Sequence, residues 1–372
     1  MAGSVNNTVD VFVVGGGPAG LALAIAARRR GMSVAVADGA IPPIDKACGE
    51  GLMPDGLAAL RDLGVGVPSD AGQPFRGIRF VSDGRSAEAR FAAGAALGIR
   101  RTELHRILID RAAECGVSML WQTPVAGLHA LGVQLGSGFV PARWIVGADG
   151  SNSRVRAWAG LDRHEKKAMR FGFRRHYRVA EWTDFMELHW GDDCQIYVTP
   201  VGRDEVCLAL VSSDSHLRLD SALAQFPDLA VRLRHAEIAS TERGAITVSR
   251  RLRRVYRGNT ALVGDASGGV DAITGEGLCL AFRQASLLAD CLADNNLPQY
   301  QREHAGLLRR PAMMARLMLM MGRHARLRRR TMQVFQSRPQ SFSRMLSMHV
   351  GEASARTYLA NGISLGWQLL TA

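Results

Sequence analysis

Residues 10–14 form a short apolar run, Asp-Val-Phe-Val-Val, that stops at three consecutive glycines. An alanine-rich stretch follows to Arg30 and Gly31, and a second apolar run fills residues 33–38. Apolar run, helix-forming stretch and apolar run together predict the β–turn–α–β order of a right-handed parallel unit. Residues 54–63 predict a helix, and residues 75–91 predict strands about a turn at Asp83-Gly84. Residues 101–114 place Leu104, Ile107, Leu108 and Ala112 on one helical stripe, the pattern of an amphipathic helix. Strands are expected at residues 118–122, 125–130 and 144–148.

The texture changes near Met169. Alternating segments at residues 170–179, 185–190, 195–199 and 206–212 predict an antiparallel sheet, with helices at 221–226 and 228–235. The first texture then returns, with a strand at 260–264, a glycine-rich turn and a helix over 278–295. The last 70 or so residues read as helical, rich in methionine and basic. The fold expected is α/β, a Rossmann-type domain interrupted by an antiparallel-β substrate domain and followed by C-terminal helices. The boundaries expected are 1–72, 97–165 and 256–298 for the discontinuous nucleotide domain, 73–96 and 166–255 for the β-rich domain, and 299–372 for the helical region.

Composition narrows the class. The chain has 372 residues, 47% hydrophobic and 22% charged, the balance of a folded globular protein. The N-terminus lacks the features of a secretory signal, and no stretch approaches the roughly 18 apolar residues of a membrane span. The expectation is a cytoplasmic protein, at most lying against a membrane. Six cysteines (48, 115, 194, 207, 279, 291) are scattered without a CxxC, and ten histidines form no HExxH, so no metal site is expected. The net charge is +12, but all the basic residues except Lys46, Lys166 and Lys167 are arginine. That bias is compositional, and no nucleic-acid module accompanies it, so no nucleic-acid partner is expected. A basic surface still attracts acidic ligands and anionic lipid.

The chemistry begins at Gly15-x-Gly17-Pro18-Ala19-Gly20. In this motif one glycine makes the turn, another lets the backbone approach a pyrophosphate, and the third lets helix and strand pack closely. With 40 glycines in the chain, the spacing alone is weak. Its context is strong, since a strand precedes, a helix follows, and Asp38 ends the next strand 18 residues after Gly20, where an acid binds a ribose hydroxyl.

Two further segments, Gly-Ala-Asp-Gly-Ser-Asn-Ser-Arg-Val-Arg at 147–156 and Gly-Asp-Ala-Ser-Gly-Gly at 264–269, stand in order with the first. With them the chain resembles the flavoprotein monooxygenase superfamily, which includes the geranylgeranyl reductase-like enzymes. The resemblance implies FAD, with its ADP half on the first motif, Asp149-Gly150 and Arg156 supporting the cleft, and Asp265 on the ribitol. It also implies Arg101 on the phosphate or ribitol side, Val125 at the adenine, and the helix start at Gly275 and Gly277 facing the flavin pyrimidine. Ser267 and Ala272 stand where aromatic hydroxylases carry His and Pro, and Lys46-Ala47-Cys48-Gly49-Glu50-Gly51-Leu52 is closer in wording to the prenyl reductases.

By the same resemblance Cys48 lies near the flavin, either as a proton-donating thiol or as a small buried residue. Tyr197, Thr199 and His176 are the substrate-contact candidates on the expected roof. The leading functional expectation is monooxygenation of a lipophilic or aromatic small molecule with NAD(P)H and O₂. The alternative is reduction of prenyl or polyene C=C bonds, and a third reading is a flavin-binding protein without turnover. No second GxGxxG serves NAD(P)H, so reduction is expected by transient docking or by a reductase partner. The Met- and Arg-rich tail suggests peripheral membrane contact.

Overall fold

The computed structural model describes residues 8–92 and 94–351. Val9–Val14 is the central strand of a parallel core, flanked by Val34–Ala37 on one side and Gly138–Gly147 on the other. Thr260–Leu262 extends the sheet beyond Gly138–Gly147, and Ser118–Leu120 adds next to Val34–Ala37. Val11 to Val14 are buried without alternation, because both faces of a parallel core are covered. The helix Pro18–Arg28 packs against Arg101–Glu114 and against Gly277–Ala293, so a helix from late in the chain closes the first unit.

The second sheet runs in the order Gly268–Gly269, Arg243–Leu252, His164–Arg178, Glu205–Ser212, Cys194–Gly202, Met186–Trp190, Gly77–Ser82, Arg85–Arg90. It is antiparallel except where Met186–Trp190 meets Gly77–Ser82. Its strands sort their side chains by the period of two. Ile196, Val198, Leu208 and Leu210 pack on one face with Leu219, Phe226 and Leu229. Tyr197, Ala209 and Val211 belong to the core of the other face.

The methionines of Arg309–Arg323 divide in the same way. Met314, Met318 and Met321 join Phe80, Trp190, Phe335 and Phe342 in that second core, whereas Met313 and Met320 are exposed. The Phe335 and Phe342 rings stack at 4.6 Å. Residues 352–372 of the expected helical region lie outside the described residues. Among the described residues no helix is long and apolar enough to cross a membrane.

The structure adds one long strand that hydrophobic pattern does not signal. Arg243–Leu252 is only partly exposed and carries arginines at 243, 250 and 251, so no apolar alternation marks it. The strand expected at 144–148 starts earlier, at Gly138, and pairs back on Gly132–Leu135 as a hairpin. Gly51–Leu52, Gln73–Phe75 and Ala96–Gly98 make a small third sheet of strands too short to show a period.

Candidate functional site

A cavity of about 540 Å³ is lined from both large sheets. The turn after the first strand supplies part of its wall. A Cβ on Gly20 would run into the Gly15 carbonyl oxygen, and one on Gly15 into the Ala148 carbonyl, so these two glycines serve close packing. Gly17 differs: a Cβ there meets nothing within 4 Å, and the residue borders the cavity beside Gly15, Pro18 and Ala19. The helix Pro18–Arg28 begins here with no side chain capping its N-terminus. Its first backbone N–H groups thus lack intrahelical partners, which makes the position favourable for an anion.

Asp38 sits on the same wall. Its Oδ2 accepts from the Gly16 N–H at 2.7 Å and its Oδ1 from the Ala40 N–H at 2.8 Å. His105, one turn after Arg101, supports the turn from behind. Its Nδ1 accepts from the Ile44 N–H at 3.1 Å, and its Nε2–H donates to the Gly16 carbonyl at 2.7 Å. Burial pushes the His105 pKa down, so the ring is neutral. Arg101 lines the cavity, and its Nε is buried without a partner, so an acceptor in the cavity would satisfy it.

Asp149 also lines the cavity. Its Oδ2 accepts from the N–H groups of Arg154 (2.7 Å) and Val155 (3.1 Å), which caps the short helix Arg154–Trp158, while Oδ1 is buried without a partner. Buried Arg156 joins this loop to the Gly264-Asp265 turn, donating to the Ser151 carbonyl at 2.9 Å and the Ala266 carbonyl at 3.1 Å. Asp265 stands 3.5 Å from Lys46 Nζ, and both border the cavity. Val125, Gly275 and Gly277 complete the list of expected cofactor positions on the lining, leaving only Gly20 behind it. The Gly277–Ala293 helix starts without a side-chain cap, and no atom lies within 4 Å of a Cβ built on Gly275 or Gly277. Glu276, between them, is buried, and that burial raises its pKa against the pull of His349 and Arg310.

Residues 44–50 form the loop between this wall and the antiparallel sheet. Cys48, half-buried, lines the cavity, with the Glu50 N–H donating toward its sulfur at 3.4 Å. Of the three expected substrate contacts, Tyr197 lines the cavity. Its hydroxyl donates to the Ile273 carbonyl at 2.5 Å, and burial holds it protonated by raising its pKa. Thr199 and His176 do not line it, because the loop lies in between. Thr199 Oγ1 donates to the Gly49 carbonyl at 2.7 Å, and His176 Nε2 lies 2.6 Å from Glu50 Oε2.

Glu50, His176 and Cys207 bring possible ligand atoms within 4.8 Å of one another. They do not suit a cation. Arg174 Nε lies 3.9 Å from Glu50 Oε1, its Nη1 lies 3.1 Å from His176 Nδ1, and carboxylate and imidazole already bond each other. Burial pushes the Cys207 thiol well up, so it stays protonated. Lys46 and Glu50 stand in the segment that also holds Cys48, and His105 shares a helix face with Arg101. These three were therefore within reach of the motif reading, whereas Arg174 carried no signal.

The site fits a long, anionic dinucleotide. It has an uncapped helix start and bare glycine, fixed acids for hydroxyls, and a second uncapped helix start and a thiol on the same lining. The FAD binding domain family matches residues 8–296. A menaquinone reductase of Mycobacterium tuberculosis (strain CDC 1551 / Oshkosh) is 29% identical over 321 residues, 79% of either chain. A digeranylgeranylglycerophospholipid reductase of Methanocella arvoryzae is 26% identical over 306 residues, 77% of either chain. In fold, a flavoprotein/dehydrogenase of Cytophaga hutchinsonii superposes with a TM-score of 0.79 at 19% identity, covering 93% of both chains.

Proposed function

The chain belongs to the FAD binding domain family and is an FAD-dependent oxidoreductase; from that premise we propose that it reduces C=C bonds in a lipophilic, prenyl- or polyene-like substrate. The observation that carries this reading is Cys48, a free thiol that lines the cavity from within the 44–50 loop. FAD, once bound and reduced by two electrons, would supply a hydride equivalent to one carbon of the double bond. The other carbon would then need a proton, and that role is assigned to the Cys48 S–H, a free thiol on the lining. Tyr197 presents its ring to the cavity with its hydroxyl turned away to Ile273, which keeps that part of the wall apolar. The names of the two reductase relatives support the same substrate class.

NAD(P)H is the external reductant proposed, acting by transient docking or through a reductase partner. The exposed stripe Met313, Arg316, Met320 and Arg323 supports a peripheral contact with anionic lipid, from which a greasy substrate would be drawn. Oxygenation of a similar substrate is the competing reading. Incubating FAD-loaded protein with dithionite and a geranylgeranyl lipid that carries no quinone, under strict exclusion of O₂ and in a parallel sample with O₂, separates the two by product mass. A product gaining two hydrogens is expected. A product formed only with O₂, and carrying oxygen, overturns the proposal.

A further inference from the structure

The strand His164–Arg178 sends Arg174 and His176 to the face that meets the 44–50 loop, and Arg175 and Tyr177 to the opposite face. Arg174 ion-pairs with Asp45, whose other oxygen lies 3.3 Å from Arg243 Nε. The direction of the His176 bonds follows from its neighbours. Arg174 Nη1 can only donate, and Ser240 Oγ, which accepts from the His176 N–H at 3.1 Å, has its own O–H free for Nδ1 at 2.7 Å. Nδ1 is therefore the acceptor, and Nε2–H donates to Glu50 Oε2. The other Glu50 oxygen accepts from the Arg101 N–H at 2.9 Å, where the helix Arg101–Glu114 starts. The Cys48 carbonyl is held as well, 3.7 Å from the Cys207 thiol that donates to it.

We propose that Arg174 and His176 are positioning residues: through Asp45 and Glu50 they clamp both ends of the loop that carries Cys48 and fix its thiol on the cavity wall. Ser240 sets the imidazole tautomer that makes the clamp. The role assigned to the positioned thiol rests on the reductase reading. The clamp itself does not.

The test uses FAD-loaded full chain and two readouts, alkylation of Cys48 by iodoacetamide, assigned by peptide mass, and anaerobic reduction of the geranylgeranyl lipid probe. His176→Leu removes the donor to Glu50. It is expected to raise the Cys48 alkylation rate about tenfold and to lower kcat about 30-fold with KM little changed. His176→Gln, which restores an N–H donor of similar reach, is expected to return both values to within about threefold of the wild type. Arg175→Gln, on the opposite face, breaks its own pairs with Asp220 and Glu242 and serves as the control for a purely structural effect. Equal alkylation in His176→Leu and Arg175→Gln overturns the clamp. Should His176→Leu fail to fold, half-buried Ser240→Ala is expected to move alkylation the same way by about threefold, and no change there overturns it too. If the wild type reduces no prenyl probe, the reductase reading fails, and alkylation alone still decides the clamp.

Discussion

The two walls of the cavity are built differently. The nucleotide-side wall is largely main chain, with Gly15, Gly17 and Gly20, two helix starts without side-chain caps, and acids held by backbone N–H groups. The wall toward the antiparallel sheet is made of side chains from distant segments, as where Glu50 meets His176 across 126 residues and Arg174 meets Asp45 across 129. A main-chain wall fails when an atom is added. A side-chain wall of buried charge fails when one partner is removed and the other is left without an acceptor.

The largest effect should come from adding atoms. Gly20→Val places a branched side chain against the Gly15 carbonyl, and a loss of at least about 4 kcal/mol, with no FAD retained on purification, is expected. A purified variant with the wild-type ratio of flavin to protein would break the contrast. On the other wall, Glu50→Ala strands His176 and the Arg101 N–H, and urea unfolding should show a loss of about 3 kcal/mol. A change under about 1 kcal/mol would mean that the pair is solvated after all.

A third prediction sharpens the comparison, because the main-chain wall has titratable props, of which His304 has the more strongly shifted pKa. His304 touches Ser267 and Gln284 behind the Gly264-Asp265 turn, and burial pushes its pKa down to about 4. The depressed value means that the folded state favours the neutral ring. Its contribution is complete above the ordinary value of 6.5 and is lost as pH falls from there through about 4. Up to about 3 kcal/mol of acid sensitivity in that window is expected, and His304→Gln should flatten it in denaturant titrations at stepped pH. The smallest effect lies outside both walls. Arg316→Gln or Arg323→Gln should each weaken sedimentation with phosphatidylglycerol vesicles about fivefold at low salt, and neither should affect phosphatidylcholine vesicles. Equal binding by the wild type and both variants would remove that helix face as the lipid contact.

The same difference in material explains what the sequence revealed. Main-chain sites need glycine at fixed spacing, so Gly15, Gly17, Gly20, Gly275 and Gly277 announced one wall, and Asp38, Asp149 and Asp265 followed from the motifs around them. The parallel core was legible because strands buried on both faces read as unbroken apolar runs. The side-chain wall depends on which residues a sheet register brings opposite a loop, and local pattern does not carry that. Hence His176 and Thr199, both expected as substrate contacts on the roof, lie one layer behind the cavity, since the 44–50 loop covers them. The strand Arg243–Leu252 escaped for a related reason: its partly exposed arginines show no period of two.

The central claim is that one wall holds the flavin while the other delivers the proton, and Cys48→Ala tests it most directly. FAD affinity by fluorescence titration and anaerobic reoxidation of the reduced variant by the prenyl-chain probe are measured on the same sample. The account predicts affinity within about threefold of the wild type and reoxidation slowed at least about 30-fold. Reoxidation at the wild-type rate, or a loss of FAD as complete as in Gly20→Val, would contradict it.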